Sequence, residues 1–105
     1  MISRIWHGYT TYENANIYEK MLREEIFVGI KEKGIKGFLE IQLFRRVIGS
    51  EVEFITIMWF STIGAVKEFA GEDYEQCVVP DKARKVLKRF DERSQHYEVK
   101  AVLKN

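Results

Sequence analysis

The chain has 105 residues, of which 46% are hydrophobic and 31% are charged, and its formal net charge is +1. This length and composition predict one globular domain, residues 1–105, with a single core. The near-neutral charge gives no reason to expect nucleic acid or an acidic membrane as a partner, and no apolar run approaches the roughly 20 residues of a membrane span.

The N-terminus and the cysteine count bear on where the protein works. The opening MISRIWHGYT lacks the apolar core of a signal peptide and is strand-like instead. Cys77 is the only cysteine, so an intrachain disulfide is excluded and no thiolate metal motif is present. We therefore expect a cytoplasmic protein.

The first predicted elements are a strand and an amphipathic helix. Residues 2–9 are rich in strand-forming side chains. Thr10 and Glu13 have the spacing of a capping box, which predicts that a helix starts at Thr10. Apolar side chains then recur at helical spacing from Ile17 to Ile26, and charged side chains occupy the opposite face. The helix is predicted to run to about residue 28 and to cover one face of a sheet.

Two strands joined by a tight turn come next. Residues 38–47 alternate apolar and polar side chains, as a half-buried strand does, and residues 48–51 have the composition of a hairpin turn. The strongest strand signal in the chain is Glu51–Phe60, EVEFITIMWF. Apart from Glu53, neither set of its alternating side chains is polar. The segment is therefore predicted to be buried on both faces, so its sheet needs a cover on each side.

The C-terminal part is predicted to contain two helices and a last strand. Ser61 is a good N-cap for a short helix that Gly71 ends. After an irregular segment, Asp81 can cap a helix in which residues 83, 86, 87 and 90 form the apolar stripe. The basic face of that helix is interpreted as solvated, because the chain lacks an RNA-binding signature. Residues 95–103 are predicted to form the last strand.

The order of these elements predicts the architecture. Strand, helix, strand, strand, helices, strand is the βαββαβ order of a ferredoxin-like sandwich, an α+β fold with the helices on one face of an antiparallel sheet. The second face of the sheet would be apolar and open to water. Such a face usually marks an interface, so we predict that the same face of a second copy covers it in a two-fold homodimer.

Several short motifs also resemble a known family. They are I-x-R-x-W (Ile2, Arg4, Trp6), E-F and W-x-S (Glu53, Phe54, Trp59, Ser61), F-A-G-E-D (residues 69–73), Pro80 and H-Y-E-V (residues 96–99). With them the chain resembles small stand-alone proteins of the antibiotic biosynthesis monooxygenase-like family, in the dimeric α+β barrel superfamily. The resemblance implies a homodimer whose sheets pack face to face, with a small-molecule pocket in each subunit between sheet and helices.

The resemblance also implies a chemistry. Characterised members oxidise polycyclic aromatic phenols to quinones with O2 and use neither metal nor flavin, so that the protein only deprotonates and orients its substrate in a dry cavity. We therefore predict a cofactor-independent monooxygenase or related oxidoreductase that acts on a small aromatic or quinol-like compound and needs no cofactor. The alternative is a non-catalytic small-molecule-binding or stress-associated module that uses the same dimeric pocket.

Two histidines are the candidate catalytic bases. His7, in the first strand, can accept a phenolic proton near neutral pH. If it is the base, it faces the helices with Ile5 and Tyr9, while Arg4 and Trp6 face the partner subunit. His96, in the last strand, is the second candidate. The alternatives are a structural histidine for His7 and a strand-edge or interface histidine for His96.

Three aromatic residues are the candidate substrate contacts. Trp59 and Phe69 can supply flat apolar walls, and Tyr74 can donate a hydrogen bond from a segment that covers the pocket. The alternatives are core packing for Trp59 and Phe69 and a surface position for Tyr74. The two histidines and Cys77 lack the spacing of a metal site. Haem-degrading relatives carry a tryptophan and a histidine on the second helix, whereas this chain has Phe69 and no histidine there, so haem degradation ranks below the monooxygenase hypothesis.

Overall fold

The computed structural model describes all residues, 1–105. The fold is built on three long antiparallel strands. β1 (Ile2–Thr10) and β2 (Phe38–Ile48) lie on either side of β3 (Glu51–Phe60). The predicted tight turn joins β2 to β3, and Gly49 supplies its positive φ of 59°. The sheet order is β2-β3-β1-β4, with β5 also paired to β1.

The last position in the sheet is shared by two short strands. β4 (Arg89–Phe90) and β5 (Gln95–Glu98) both run antiparallel to β1, one along each half of it. Between them, Asp91 takes over the hydrogen bonding of β1: its carbonyl oxygen accepts from the Trp6 indole at 2.8 Å and its carboxylate accepts from the His7 backbone at 3.1 Å. The strand predicted for residues 95–103 is shorter in the structure, where β5 ends at Glu98.

The helical segment that follows β1 is longer than predicted. α1 (Tyr12–Met21) continues through a π-helical turn (Leu22–Ile26) into α2 (Phe27–Glu32). The predicted start at Thr10 is wrong, because Thr10 is the last residue of β1 and its hydroxyl donates to the Val86 carbonyl. Thr11 is the N-cap, and its hydroxyl accepts from the backbone of Asn14.

The two helices that follow β3 are shorter than predicted. α3 (Ile63–Ala70) is capped by the hydroxyl of Thr62, not by Ser61, and α4 (Asp81–Arg84) starts immediately after Pro80. The predicted continuation of α4 to residue 90 is wrong. The backbone of Lys88 donates instead to the carbonyl of Tyr9 at 2.7 Å, which leads the chain into β4.

All helices pack on one face of the sheet. The pairs Arg4–Met58, Trp6–Thr56 and Gly8–Phe54 show that even-numbered residues of β1 and β3 share that face. Two clusters of buried side chains fill the space below the helices, one around Phe54 and Tyr18 and one around Phe60 and Val66. This arrangement confirms the predicted ferredoxin-like α+β fold. No helix of the chain combines the length and the apolar character needed to cross a bilayer.

The opposite side of the sheet, here called the open face, consists of the odd-numbered residues of β1 and β3 and the even-numbered residues of β2 from 40 to 48. Its centre is apolar, with Ile5 and Ile57 paired across the strands and Phe44 47% exposed beside Ile55. One end is polar: Glu53 accepts from Arg46 at 2.5 Å. No element of the chain covers this face.

Candidate ligand-binding site

A cavity of about 60 Å³ lies between the helices and the sheet. Most of its walls are apolar side chains, and the irregular segment before α4 closes one side. The lining residues are Arg4, Trp6, Tyr18, Leu22, Phe27, Ile30, Ile41, Thr56, Met58, Phe69, Val78, Val79, Pro80, Ala83 and Ser94. Small-molecule sites have this character, an apolar recess with a few polar groups, although they are usually larger.

Arg4 is the one charged side chain in the cavity wall, and it is only 3% exposed. Its Nη2 donates to the Gln76 carbonyl at 2.9 Å, and its Nη1 donates to the Tyr74 carbonyl and to Nε2 of His96, the latter at 3.0 Å. No carboxylate forms a salt bridge with it. Burial lowers the pKa of Arg4 to about 10, so the guanidinium is still charged at neutral pH. A buried cation without a counter-charge is unfavourable unless something compensates it.

His96 is locked into one tautomer by Arg4. A guanidinium can only donate, so Nε2 of His96 is the acceptor and Nδ1 carries the proton. Burial, and to a lesser extent the charge of Arg4, lower the pKa of His96 to about 4, which keeps the ring neutral. Its Nδ1 is buried without a hydrogen-bond partner. Since Nε2 is occupied, His96 in this arrangement is a hydrogen-bond donor rather than a free base.

His7 lies on the open face, so the prediction that it faces the helices is wrong. It pairs with Ile55 on β3, and its Nδ1 is 2.7 Å from the Asp91 carboxylate. The prediction that Arg4 and Trp6 face a partner subunit is wrong for the same reason, since both line the cavity. Gly8 makes this orientation possible: a Cβ there would lie 2.7 Å from the Trp6 ring, so only glycine leaves room for the indole.

The three aromatic residues predicted to contact a substrate lie in three different places in the structure. Trp59 is on the open face, where its indole donates to the Gln42 side chain at 2.8 Å, and it does not line the cavity. Phe69 does line the cavity, with its ring centroid 5.4 Å from the Arg4 guanidinium. Tyr74 lies just outside, stacked edge-on against His96 with centroids 5.1 Å apart.

Sequence reasoning missed the polar part of the site, Arg4 and Ser94. Ser94 is 3% exposed, lines the cavity, and its Oγ has no hydrogen-bond partner. A signal for Arg4 was present, because its strand neighbours on the same face, Ile2 and Trp6, are both apolar. Nothing in the sequence singled out Ser94. No three His, Cys, Asp or Glu side chains come together in a group that would hold a metal ion.

The fold and the cavity between sheet and helices define a ferredoxin-like α+β domain, and solved structures with this fold include proposed monooxygenases. A proposed antibiotic biosynthesis monooxygenase from Bacillus cereus superposes with a TM-score of 0.69 at 15% identity, over 99% of this chain and 97% of that chain. A second one, from Deinococcus radiodurans, has a TM-score of 0.68 at 12% identity, over 100% and 98%. The fold-level resemblance inferred from the motifs is confirmed by these structures.

A third similar structure is that of the haem degrader MhuD from Mycobacterium tuberculosis, with two haems bound in its active site. Its TM-score is 0.66 at 17% identity, over 99% of this chain and 100% of that chain. No protein-family model matches the sequence, and no curated protein is significantly similar to it. The structural matches are all at low identity, so they establish the fold only. The activity has to be inferred from the residues of the site.

Proposed function

We propose that the protein is an oxidoreductase of the monooxygenase type that oxidises a small aromatic or quinol-like compound with O2, without metal or flavin. The observation that carries the proposal is the apolar cavity between sheet and helices, walled by Trp6 and Phe69. A dry site of this kind protects a substrate carbanion from water while O2 reacts with it. The names of the Bacillus and Deinococcus structures agree with this class of reaction.

The reaction is balanced without a cofactor. In an anthrone-like substrate, one oxygen atom of O2 replaces the two hydrogens of the reacting carbon and becomes a carbonyl oxygen. The second oxygen atom leaves as water with both hydrogens. A three-ring substrate is larger than the cavity of about 60 Å³, so the wall formed by Val78, Val79 and Pro80 has to move outward for it to enter. A single-ring quinol needs a smaller movement.

The second candidate function, a binding module without chemistry, is favoured by the state of His96. Of the two predicted bases, His7 is on the open face and His96 has its only acceptor nitrogen engaged by Arg4. For His96 to act as a base, this hydrogen bond has to break when the substrate binds. If it does not break, the cavity beside Phe69 binds its ligand without chemistry.

The proposed assembly is a homodimer in which two copies of the open face pack together. The apolar centre around Ile57 and Phe44 supports this, because a monomer rarely leaves such a patch uncovered. A structure described as a dimeric ferredoxin-like protein, from an uncultured marine organism, superposes with a TM-score of 0.55 at 8% identity over 98% of this chain and 91% of that chain. A cytoplasmic location stays a prediction from the sequence.

Haem degradation is not favoured by the residues present. α3 contains no histidine that could serve as an axial ligand, and neither of the two histidines is free on the helix face. The cavity is also far smaller than a porphyrin. The monooxygenase proposal therefore concerns a smaller substrate.

Oxygen uptake with anthrone and with 1,4-hydroquinone tests the proposed reaction. We expect the protein to accelerate uptake, and catalase to return none of the oxygen consumed with anthrone but half of that consumed with hydroquinone, which yields hydrogen peroxide. Val79→Trp, which fills the cavity, is expected to reduce turnover about tenfold or more, whereas Val102→Trp, at a position 67% exposed, leaves it unchanged. Turnover that is equal in both variants would contradict a reaction in this cavity.

A further inference from the structure

We propose that the cavity binds an organic oxyanion, a carboxylate or phenolate on a small planar apolar body, with the Arg4 guanidinium as its counter-charge and Ser94 as a second donor. The inference rests on the proposed function in that it names the substrate class of the same cavity. It concerns binding and does not require turnover. The apolar walls around Trp6 and Phe69 would hold the ring of such a ligand.

The charge of Arg4 is the first reason. It is 3% exposed, and its protein acceptors are two carbonyls and a neutral imidazole, none of which carries a negative charge. The carboxylates of Glu53 and Asp91 lie on the open face, held by Arg46 and His7. The carboxylate of Glu75, which acts on His96, is 3.5 Å from Arg93 and forms no salt bridge with Arg4. A buried cation of this kind is strongly stabilised by an anion that enters the same low-dielectric space.

The unused donors are the second reason. A guanidinium has five N–H groups, and three of those of Arg4 bond to Tyr74, Gln76 and His96. The N–H of Nε and one N–H of Nη2 remain, and a carboxylate can accept from two such donors at once. The Ser94 hydroxyl, buried and without a partner, lies in the same cavity wall. The free N–H groups of Arg4 and the unpartnered Ser94 hydroxyl thus belong to two residues of one cavity wall, and an acceptor bound there would satisfy them.

Residues elsewhere in the cavity restrict what the anion can carry. Apart from Arg4, Thr56, Tyr18 and Ser94, the walls offer no polar side chain. A sugar or a nucleotide would therefore leave many hydroxyl groups unpaired, and burying unpaired polar groups is unfavourable. A single oxyanion on an apolar ring leaves none.

Binding of benzoate and of uncharged benzamide, measured anaerobically by calorimetry and by NMR, tests the proposal. We expect benzoate to bind about tenfold or more tightly than benzamide, and only benzoate to shift the Arg4 Nε–H resonance. 4-Nitrophenol tests the phenolate form, since its ionised absorbance should rise on binding. Equal affinities for benzoate and benzamide, or an unmoved Arg4 resonance, would overturn the proposal.

Two variants assign the effect to these residues. Ser94→Ala removes a hydroxyl that has no partner, so the fold should be kept while benzoate affinity falls about threefold to tenfold. Arg4→Met should abolish the preference for benzoate; if it does not fold, Arg4→Lys keeps the charge and should retain a reduced preference. Unchanged benzoate affinity in Ser94→Ala together with a retained preference in folded Arg4→Met would refute the site. Preferential benzoate binding together with no acceleration of oxygen uptake with anthrone or hydroquinone would refute only the proposed reaction.

Discussion

Arg4 shows how one side chain can set the character of a site. Arg4 was predicted to face a partner subunit, because its parity in the strand is opposite to that of His7, which was expected to face the helices. The structure buries it instead, since the carbonyls of Tyr74 and Gln76 give its guanidinium acceptors under the helices. These carbonyls belong to an irregular segment whose path no sequence pattern describes. The apolar neighbours Ile2 and Trp6 on its strand face indicate burial of Arg4, but its hydrogen-bond acceptors could not be predicted from the periodicity of the strand.

His96 makes the stability of the protein depend on pH. Its folded pKa of about 4 lies below the ordinary value of 6.5, so the unfolded chain binds more protons between these values. The stabilisation is complete above about pH 6.5 and is lost as the pH falls toward 4. Allowing for the partial exposure of the ring, we expect a loss of about 1 kcal/mol between about pH 7 and pH 5.

Urea unfolding at these two pH values measures this loss. His96→Gln, which has no group that titrates in this range, serves as the control and should lose about 1 kcal/mol less than the wild type. The carboxylates whose pKa is lowered, such as Glu53 beside Arg46, titrate below this range in both proteins. If both proteins lose the same stability, His96 is not buried against Arg4 as described.

The elements differ in how far sequence patterns could predict them. β3 was predicted with its observed bounds, because ten consecutive residues form a strand of uniform character. Because both sides of β3 are apolar, the side that faces the helices could not be predicted. The predicted last helix failed for another reason. Val86, Leu87 and Phe90 pack against the core although the chain there is not helical, and their spacing fits a helix equally well.

Two neighbouring residues at the start of α3 fit the sequence pattern of an N-cap, but only one of them makes the capping hydrogen bond. Ser61 and Thr62 are both good capping residues, but only the Thr62 hydroxyl accepts from the helix, from Ala65 at 3.1 Å. Thr62→Ala should therefore reduce the free energy of unfolding by about 1 kcal/mol. Ser61→Ala, whose exposed hydroxyl makes no hydrogen bond, should change it by less than about 0.5 kcal/mol. Chemical denaturation of both variants checks this, and the reverse order would restore Ser61 as the cap.

At the scale of the whole molecule, the two faces of one sheet differ in what covers them. The helix face holds the cavity with Arg4, Phe69 and Ser94, and the open face carries the exposed apolar patch of Ile57 and Phe44 on which the homodimer is proposed. The need for two covers followed from the apolar character of β3 on both sides. Which face the helices cover could not be predicted, because both faces of the sheet are apolar and the helices could bury either of them. We therefore assign the ligand site to the helix face and the proposed dimer interface to the open face.

Light scattering on the wild type and on Ile57→Glu tests this assignment most directly. The wild type should have a mass near twice 12.4 kDa at micromolar concentration. Ile57→Glu, which places a charge in the centre of the open face, should have a mass near 12.4 kDa and keep its helical circular dichroism. Ile17→Glu, at a position on α1 that is 52% exposed, should remain a dimer. A folded wild-type monomer, or an Ile57→Glu variant that still forms the dimer, would contradict the assignment.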